Sequence, residues 1–325
     1  MNIELCSEAR EFGRQVLRAL DAAGGDELVR RTEGEVGVRR TLIAPVLGEL
    51  GAWELEPLRD VAELEAAAAL CRSAGYWALP YPVAERLARP VGVDVDGLVV
   101  VYGREPAAPV ADLDLRWGAV TLDGVRGRVS VRQAHSSPRE SVFVAQLDVH
   151  PLDSKGSSGW DNSGQASAAE LALGLVLPCW TLLGMLDRAM GLARTHVLTR
   201  EQFGRQLAQF QAVQFQLTDA EVERRGVEML ARYALWSIDT GSNAVVDDAL
   251  ALRLAALEAA DIVFRVAHQL HGALGFCDES ALSWLSRYSR PIRRLPLGRS
   301  ATEDLLARSI DRAGLAGLYS DPTGV

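Results

Sequence analysis

The sequence has few cysteines, and their placement excludes two kinds of site. They are widely scattered and form neither a metal-binding spacing nor a disulfide framework: Cys6, Cys71, Cys179 and Cys277. Such a chain suits a reducing compartment, and we expect a cytoplasmic protein.

Lysine is also nearly absent, since Lys155 is the single lysine among 34 basic residues. We attribute this to GC-rich coding DNA and assign it no mechanism.

Clustered positive charge and long apolar runs are lacking as well. The net charge of −9 argues against a nucleic-acid partner, because phosphate binding needs clustered positive charge. No segment reaches the roughly 18 uninterrupted apolar residues of a membrane helix. The apolar run from Leu171 to Met185 is shorter and contains Pro178. The N-terminal residues are acidic and lack the order of a secretion signal, so we also expect no membrane partner.

What is present suffices for a large globular protein. The chain has 325 residues, of which 48% are hydrophobic and 24% charged, enough for two or three structural units with buried cores. The apolar periodicity predicts a mainly α-helical protein with a small β middle domain. We place a helical N-terminal domain at residues 1–95, a reduced β domain at 96–166 and a C-terminal four-helix bundle at 167–325.

Individual elements follow from apolar spacing and turn signals. N-terminal helices are predicted at Glu8–Ala23, at Glu63–Cys71 and from Pro82 to Leu87. Strands are predicted at Leu98–Tyr102, from Val125 to Arg132 after the Asp123-Gly124 turn, and at Ser141–Val149. Four long helices are predicted at 168–199, 209–241, 244–272 and 300–313, with broad apolar faces that favour a packed bundle.

Two segments of the C-terminal region carry groups suited to a phosphate-bearing ligand. The first is Arg200-Glu-Gln-Phe-Gly-Arg-Gln-Leu-Ala-Gln-Phe-Gln211, in which the arginine offers a charged donor fork to a pyrophosphate. Phe203 offers an aromatic face, and Gly204 permits a turn that a side chain would obstruct. The second is Gln269-Leu-His-Gly-Ala-Leu-Gly-Phe276, whose small residues let backbone N–H groups approach phosphate and ribose.

Both segments resemble the two flavin-contacting motifs of acyl-CoA dehydrogenases, and the order of helices, strands and helices is similar to that fold. The resemblance implies FAD as cofactor and the α,β-desaturation of an acyl-CoA substrate. In the family, the first motif reaches across a subunit interface to a neighbour's flavin. The positions expected to contribute to the FAD site are Arg200, Gln202, Phe203, Gln211, Gln269, Leu270, His271, Gly272 and Ala273.

The sequence departs from the family pattern in two places, in addition to lacking the family's catalytic glutamate. The second glycine of the family's turn is Ala273 here, and alanine resists a positive φ. The middle region is about half the length expected from the family and lacks the two segments that line the flavin ring. The resemblance therefore implies that the dinucleotide tail is held here and the flavin ring elsewhere.

The catalytic carboxylate of the family has no counterpart at either position that relatives use. Acyl-CoA dehydrogenases remove an α-proton with this carboxylate while hydride leaves the β-carbon for flavin N5. Counting from Tyr288, the usual position falls on Gly298. A minority of relatives use the first helix of the C-terminal domain, and that position falls on Gly174. We predict no catalytic residue in this chain.

Two acidic residues lie near these positions. Glu170 is one turn before Gly174, and Glu303 follows Ser300. Both fit a capping box, with Ser167 and Ser300 as the caps, in which the glutamate bonds back to the cap's backbone N–H. Their carboxylates are then occupied by helix capping.

Three functional hypotheses remain open at this stage. The chain most resembles the short, base-less subunit of actinobacterial heteromeric acyl-CoA dehydrogenases, α₂β₂ assemblies that act on thioesters of steroid side chains or rings. A longer homologue would then supply the glutamate and the flavin-ring pocket. The second hypothesis is a homo-oligomeric enzyme in which Glu170 or Glu303 is a relocated base. The third is a flavin-free scaffold subunit.

The spacing of the histidines in the sequence does not predict a metal site. His268 and His271 are three residues apart, but no third ligand stands at a suitable spacing. We expect both to pack or hydrogen-bond at a helix end. His135, His150 and His196 are isolated in the sequence, and we assign them no role.

Overall fold

The computed structural model describes residues 3–103, 106–132, 141–151 and 165–313. Helices predominate in these residues, and one small sheet separates the N-terminal from the C-terminal helices along the chain, as predicted. A single continuous hydrophobic core joins all three parts.

The N-terminal part contains five α-helices, with a π-helical turn at Arg39–Ile43: α1 (Ser7–Ala22), α2 (Asp26–Gly34), α3 (Ala44–Glu49), α4 (Val61–Tyr76) and α5 (Val83–Leu87). The predicted stripe of α1 is confirmed, since Val16 and Leu20 are fully buried in the core. Asp60 begins α4 by accepting the backbone N–H of Glu63 at 3.0 Å. Helices α2 and α3 were not predicted, because each is short and buries only one to three side chains.

Arg39 joins the N-terminal helices to the sheet. Its side chain is fully buried and donates to the carbonyl oxygens of Pro80 at 2.6 Å, Ala111 at 2.7 Å and Pro109. A buried guanidinium is tolerated when its N–H groups are satisfied in this way. Burial lowers the pKa of Arg39 to about 10, so the side chain stays charged at neutral pH.

The sheet has five strands in the order β1-β3-β4-β5-β2. They are β1 (Gly97–Val101), β2 (Ala107–Ala108), β3 (Trp117–Thr121), β4 (Arg126–Arg132) and β5 (Ala145–Pro151). Strands β1 and β3 are parallel, and the other neighbours are antiparallel. The Asp123-Gly124 turn joins β3 to β4 as predicted, with Gly124 at φ +83°.

The C-terminal part contains α6 (Ala168–Thr199), α7 (Gln211–Asp239), α8 (Val245–His271), α9 (Ala281–Arg294) and α10 (Arg299–Ala313). Four of these match the predicted helices within two residues at each end. The structure adds α9, which the sequence did not indicate because it is rich in serine and arginine and contains Pro291.

Helix α6 lies at the centre of the core and is crossed by α4 at two glycines. A Cβ on Gly184 would lie 1.9 Å from the carbonyl oxygen of Arg72, and one on Gly75 would lie 1.8 Å from that of Thr181. The two backbones therefore touch with no room for a side chain. By length and composition α6 could cross a membrane, but 78% of its most apolar window is buried inside the protein, as in a core helix.

Candidate functional site

The first predicted motif forms a small hairpin directly after α6. Helix α6 ends at Arg200, whose backbone N–H donates to His196 O at 2.8 Å. Two short strands, β6 (Glu201–Gln202) and β7 (Arg205–Gln206), then pair antiparallel around Phe203 and Gly204. Both tip residues have positive φ, +55° and +77°, which defines a two-residue type I′ turn. The turn predicted at Gly204 is thus present, and Phe203 shares its backbone geometry.

The hairpin presents its functional groups to solvent. Phe203 is 91% exposed, and its ring lies edge-on to that of Phe210, at 6.3 Å between centroids. The side chain of Arg200 is exposed and has no hydrogen bond or ion pair with any other described residue. Gln211 is also exposed and is the first residue of α7. An aromatic ring, an unpaired cation and an amide are therefore available to a ligand or another subunit.

The second predicted motif forms the turn that ends α8. Gly272 has φ +59° and ψ −142°, a conformation that glycine adopts far more readily than other residues. Ala273 is not among the residues with positive φ, so its methyl group causes no backbone strain. A short 3₁₀ turn follows at Gly272–Phe276, and Phe276 is 69% exposed at its end. Gln269 and Ala273 are exposed, whereas Leu270 and His271 are half-buried.

The structure brings the two motifs together through a pair of histidines. The rings of His196 in α6 and His271 in α8 stack at 4.4 Å with an interplanar angle of 24°. His271 is fixed by a 2.8 Å hydrogen bond between its Nδ1 and Ala267 O. His196 is isolated in the sequence and was assigned no role, but in the fold its ring meets that of His271, which lies 75 residues away along the chain. His268 and His271 do pack at a helix end as expected, with His268 stacked on Phe276 at 4.4 Å.

The surroundings of this junction disfavour protonation of His196 and His268, whose pKa values are lowered. Burial, followed by the neighbouring His271 and Arg200, lowers the pKa of His196. Burial, followed by His271, also lowers the pKa of His268. Among the described residues no cluster of histidine, cysteine and carboxylate side chains could hold a metal ion.

The two positions where relatives place a base differ in their surroundings. A Cβ on Gly174 would lie 2.5 Å from Cγ2 of Val100 in β1, so the sheet occupies the space that a side chain would need. A Cβ on Gly298 would meet no atom within 4 Å.

Arg253 of α8 stabilises the turn before Gly298. Its side chain donates to the carbonyl oxygens of Leu297 at 2.6 Å and Ile292 at 3.3 Å. Arg253 is almost fully buried, and burial lowers its pKa.

Of the two acidic residues near these positions, Glu170 has its carboxylate occupied by partners. Glu170 forms the predicted capping box with Ser167, and its carboxylate also accepts two hydrogen bonds from Arg126 at 2.8 and 3.0 Å. The second capping box was predicted wrongly. Helix α10 begins at Arg299, so Ser300 lies inside its first turn, and Glu303 is exposed to solvent.

A nearly closed junction lies where α5, α6 and α9 meet. The cavity there measures about 30 Å³ and is lined by Glu85, Pro178, Met185 and Tyr288, among others. That is room for about one water molecule, whereas ligand pockets usually measure roughly 300–1,000 Å³. Burial raises the pKa of Glu85 to about 7, although a backbone hydrogen bond and Arg39 act in the opposite direction.

A larger groove lies elsewhere on the described surface, between α6 and α7. It encloses about 740 Å³ and is walled by an ion-pair network. Arg72 of α4 pairs with Asp187 at 2.7 Å and with Glu228 at 2.9 Å, and Arg224 pairs with Asp187 at 2.8 Å. Because these charges satisfy one another, the network stabilises the packing of three helices and leaves little charge for a ligand.

Several residues that shape the site were beyond sequence reasoning. Three of them form hydrogen bonds or ring contacts with partners 39 to 75 residues away along the chain: Arg39, Arg253 and His196. No local pattern distinguishes these three from surface residues. Glu85 lies in a helix of only five residues, too short for a periodic signal.

Comparisons with known proteins agree with this architecture. The family described as acyl-CoA dehydrogenase, C-terminal domain, matches residues 163–305. Probable acyl-CoA dehydrogenase FadE2 of Mycobacterium tuberculosis is 32% identical over 176 residues, which is 53% of this chain and 42% of that protein. The matches cover less than half the length of such curated relatives.

Two solved structures share the fold over nearly the whole chain. The ChsE4-ChsE5 complex from Mycobacterium tuberculosis aligns with a TM-score of 0.73 at 17% identity, covering 97% of this chain and 100% of the matched chain. A variant of the Tcur3481-Tcur3483 steroid ACAD aligns with a TM-score of 0.70 at 18% identity, covering 95% and 98%. Residues 163–305 therefore match the acyl-CoA dehydrogenase C-terminal domain model, and the chain as a whole has the acyl-CoA dehydrogenase fold.

Proposed function

We propose that this chain is the non-catalytic subunit of a heteromeric, FAD-dependent acyl-CoA dehydrogenase. A longer homologue supplies the catalytic glutamate and the flavin-ring pocket. This chain contributes Arg200, Phe203 and the Gly272 turn to the adenosine and pyrophosphate end of FAD. The substrate class is an acyl-CoA, with a steroid-derived thioester favoured by the name of one structural neighbour.

The observation that carries this proposal is the contrast between an exposed tail site and two base positions that carry glycine. The groups suited to the dinucleotide tail are present and open to solvent at the hairpin and at the end of α8. Gly174 and Gly298 occupy the two base positions, and Glu170 is bound by Arg126 and by its own cap. The junction cavity of about 30 Å³ leaves no space for an acyl chain.

An exposed apolar stripe on α7 supports a subunit partner. Phe215, Val222 and Met229 are each more than half exposed and follow one another at intervals of seven residues. Seven residues are close to two helical turns, so the three side chains lie on one face of the helix. The stripe begins just after the hairpin with its exposed Phe203. A patch of this kind, continuous with a site that needs a second subunit, favours the longer homologue as its occupant.

FAD fits the residues that this chain offers, but only at its tail. The exposed guanidinium of Arg200 can bind a pyrophosphate, and the glycine at 272 allows the backbone to turn close to a ribose or phosphate. When bound, FAD supplies the hydride acceptor of the reaction. This chain's own part is to bind and orient the dinucleotide, because none of its described residues offers a free carboxylate at either base position.

The test is co-expression of the chain with a longer acyl-CoA dehydrogenase homologue. We expect the two to copurify as a yellow complex and expect Arg200→Ala to weaken FAD binding by about 10- to 100-fold. That range is the loss expected for a charge-assisted hydrogen bond of roughly 1.5–3 kcal/mol. FAD affinity would be measured by flavin fluorescence during titration of the cofactor-stripped complex.

Arg194→Ala is the matched control, because Arg194 is equally exposed and lies on the same helix six residues earlier. Its FAD affinity should match that of the wild type. A copurified but colourless complex would support a flavin-free scaffold instead. Oxidation of an acyl-CoA by this chain alone, abolished by Glu170→Gln, would establish a self-sufficient enzyme and overturn the proposal.

A further inference from the structure

Three of the four histidines in the described residues meet at one place in the fold. His196 lies in the last turn of α6, and His268 and His271 lie in the last turn of α8. Two ring stacks organise them, His196 on His271 and His268 on Phe276, each at 4.4 Å. Stacked aromatic pairs of this kind contribute to packing beyond their buried area.

The pair formed by His196 and His271 lies between the two proposed halves of the FAD-tail site. His196 directly precedes the hairpin, since its carbonyl oxygen accepts the N–H of Arg200. His271 directly precedes the turn at Gly272. Two groups that bind one ligand must keep a fixed spacing, and ring contact between their supporting turns provides it.

We propose that His196 is a positioning residue that fixes the Arg200 hairpin relative to the Gly272 turn by stacking on His271. This inference rests on the proposed function and adds a residue that neither flavin motif contains. His196 acts through His271 and Arg200, and it has no catalytic part in the reaction.

The charges around the stack determine how it responds to pH. Burial has the largest effect on the pKa of His196 and lowers it, and His271 from α8 and Arg200 from the end of α6 lower it further. His268 is affected by His271 in turn. A histidine with a lowered pKa resists protonation in the folded state, so the stack is at full strength above the unfolded value near 6.5. It weakens as the pH falls below that value.

The first experiment uses the full chain without any partner, so that it does not depend on the proposed function. Hydrogen exchange would be measured at about pH 7.5 for the peptides covering residues 201–206 and 272–276. We expect His196→Ala to raise exchange about three- to tenfold in both peptides, as loss of one stacked pair predicts. His196→Phe keeps a stacking ring and should match the wild type. Thr195→Ala, an exposed neighbour, is the control.

The pH dependence separates positioning from a general loss of structure. On acidification to about pH 5.5, exchange corrected for its intrinsic rate should rise at both peptides in the wild type. It should rise less in His196→Phe, which cannot protonate at this position. Unchanged exchange at residues 201–206 in His196→Ala would overturn the inference. So would equal rises throughout the chain, which indicate ordinary destabilisation.

The second experiment measures FAD affinity in the copurified complex. His196→Ala should weaken binding about three- to tenfold, and His196→Phe should restore it to within about twofold of the wild type. If the wild-type complex binds no flavin, the proposed function fails while the exchange result stands. If the wild type binds FAD and His196→Ala binds it equally well, the positioning role is refuted.

Discussion

Replacing Gly184 by alanine should separate the two central helices of the fold. A Cβ at this position would lie 1.9 Å from the carbonyl oxygen of Arg72, and real Cβ atoms essentially never come closer than 3.0 Å to such an atom. The backbones must therefore move apart locally by about 1.1 Å (3.0 − 1.9). The obstructing atom belongs to the backbone of α4, so no rotamer change can relieve the overlap.

The expected magnitude comes from two opposing effects. Alanine is favoured over glycine in a helix by about 1 kcal/mol. Overpacking of a tight core costs about 1–3 kcal/mol and occasionally more, and backbone contact places Gly184 at the upper end of that range. We expect a net loss of about 2 kcal/mol in the free energy of unfolding, equivalent to a decrease of roughly 3 °C in the Tm of a chain of this length.

Gly191→Ala is the matched control on the same helix. A Cβ there would meet no atom within 4 Å, so only the gain in helix propensity remains. We expect this variant to be more stable than the wild type by up to about 1 kcal/mol. Both variants would be measured by urea unfolding with far-UV circular dichroism and by thermal melting. A Gly184→Ala protein as stable as the wild type would show that α4 and α6 do not touch as described.

Three further predictions concern ionisable groups. Burial alone would raise the pKa of Glu228, but Arg72, Arg232 and Arg224 outweigh it and hold the pKa at about 2. Glu228→Gln should therefore lower the urea-derived stability at pH 7 by roughly 1–3 kcal/mol, and the difference should vanish as the pH falls from about 4.5 to 2. Burial raises the pKa of Glu85 to about 7, so wild-type stability should fall as the pH rises from about 4.5 to 7, and Glu85→Gln should remove this dependence. Burial also raises the pKa of Cys179 to about 11, so a thiol reagent under native conditions should label exposed Cys277 well before Cys179, as mass spectrometry can show.

The sequence was most informative where apolar residues recur over many turns. Helices α6, α7 and α8 each span 27 or more residues, and their ends were predicted to within two residues. The short helices α2 and α3 were missed, because nine and six residues give little from which to detect a period. Strand β3 was missed although the Asp123-Gly124 turn requires a strand before it.

The candidate site was predictable as a set of residues but not as an arrangement. Gly204 indicated a turn, but nothing local indicated that Phe203 would share its positive φ and be almost fully exposed. The contact between His196 and His271 depends on how α6 and α8 cross, which is a property of the packed bundle. The sequence motifs therefore identified the residues, whereas the packing of α6 against α8 determines that the two motifs lie close together.

The two glycines at the base positions predict different outcomes for a restored carboxylate. Gly174→Glu must displace Val100, so we expect a loss of several kcal/mol in the free energy of unfolding, within the range of severe overpacking and buried charge. Gly298→Glu has open space and should fold with stability within about 1 kcal/mol of the wild type, measured by urea unfolding.

Even so, the Gly298→Glu chain should not oxidise an acyl-CoA by itself. The cavity of about 30 Å³ at the junction of α5, α6 and α9 cannot hold an acyl group, and proton abstraction requires the substrate within hydrogen-bond reach of the base. Acyl-CoA-dependent bleaching of added FAD by this variant alone would mean that the junction opens and that only the base was missing. Its absence, with folding intact, would place the defect in the closed interior as well as in the missing base.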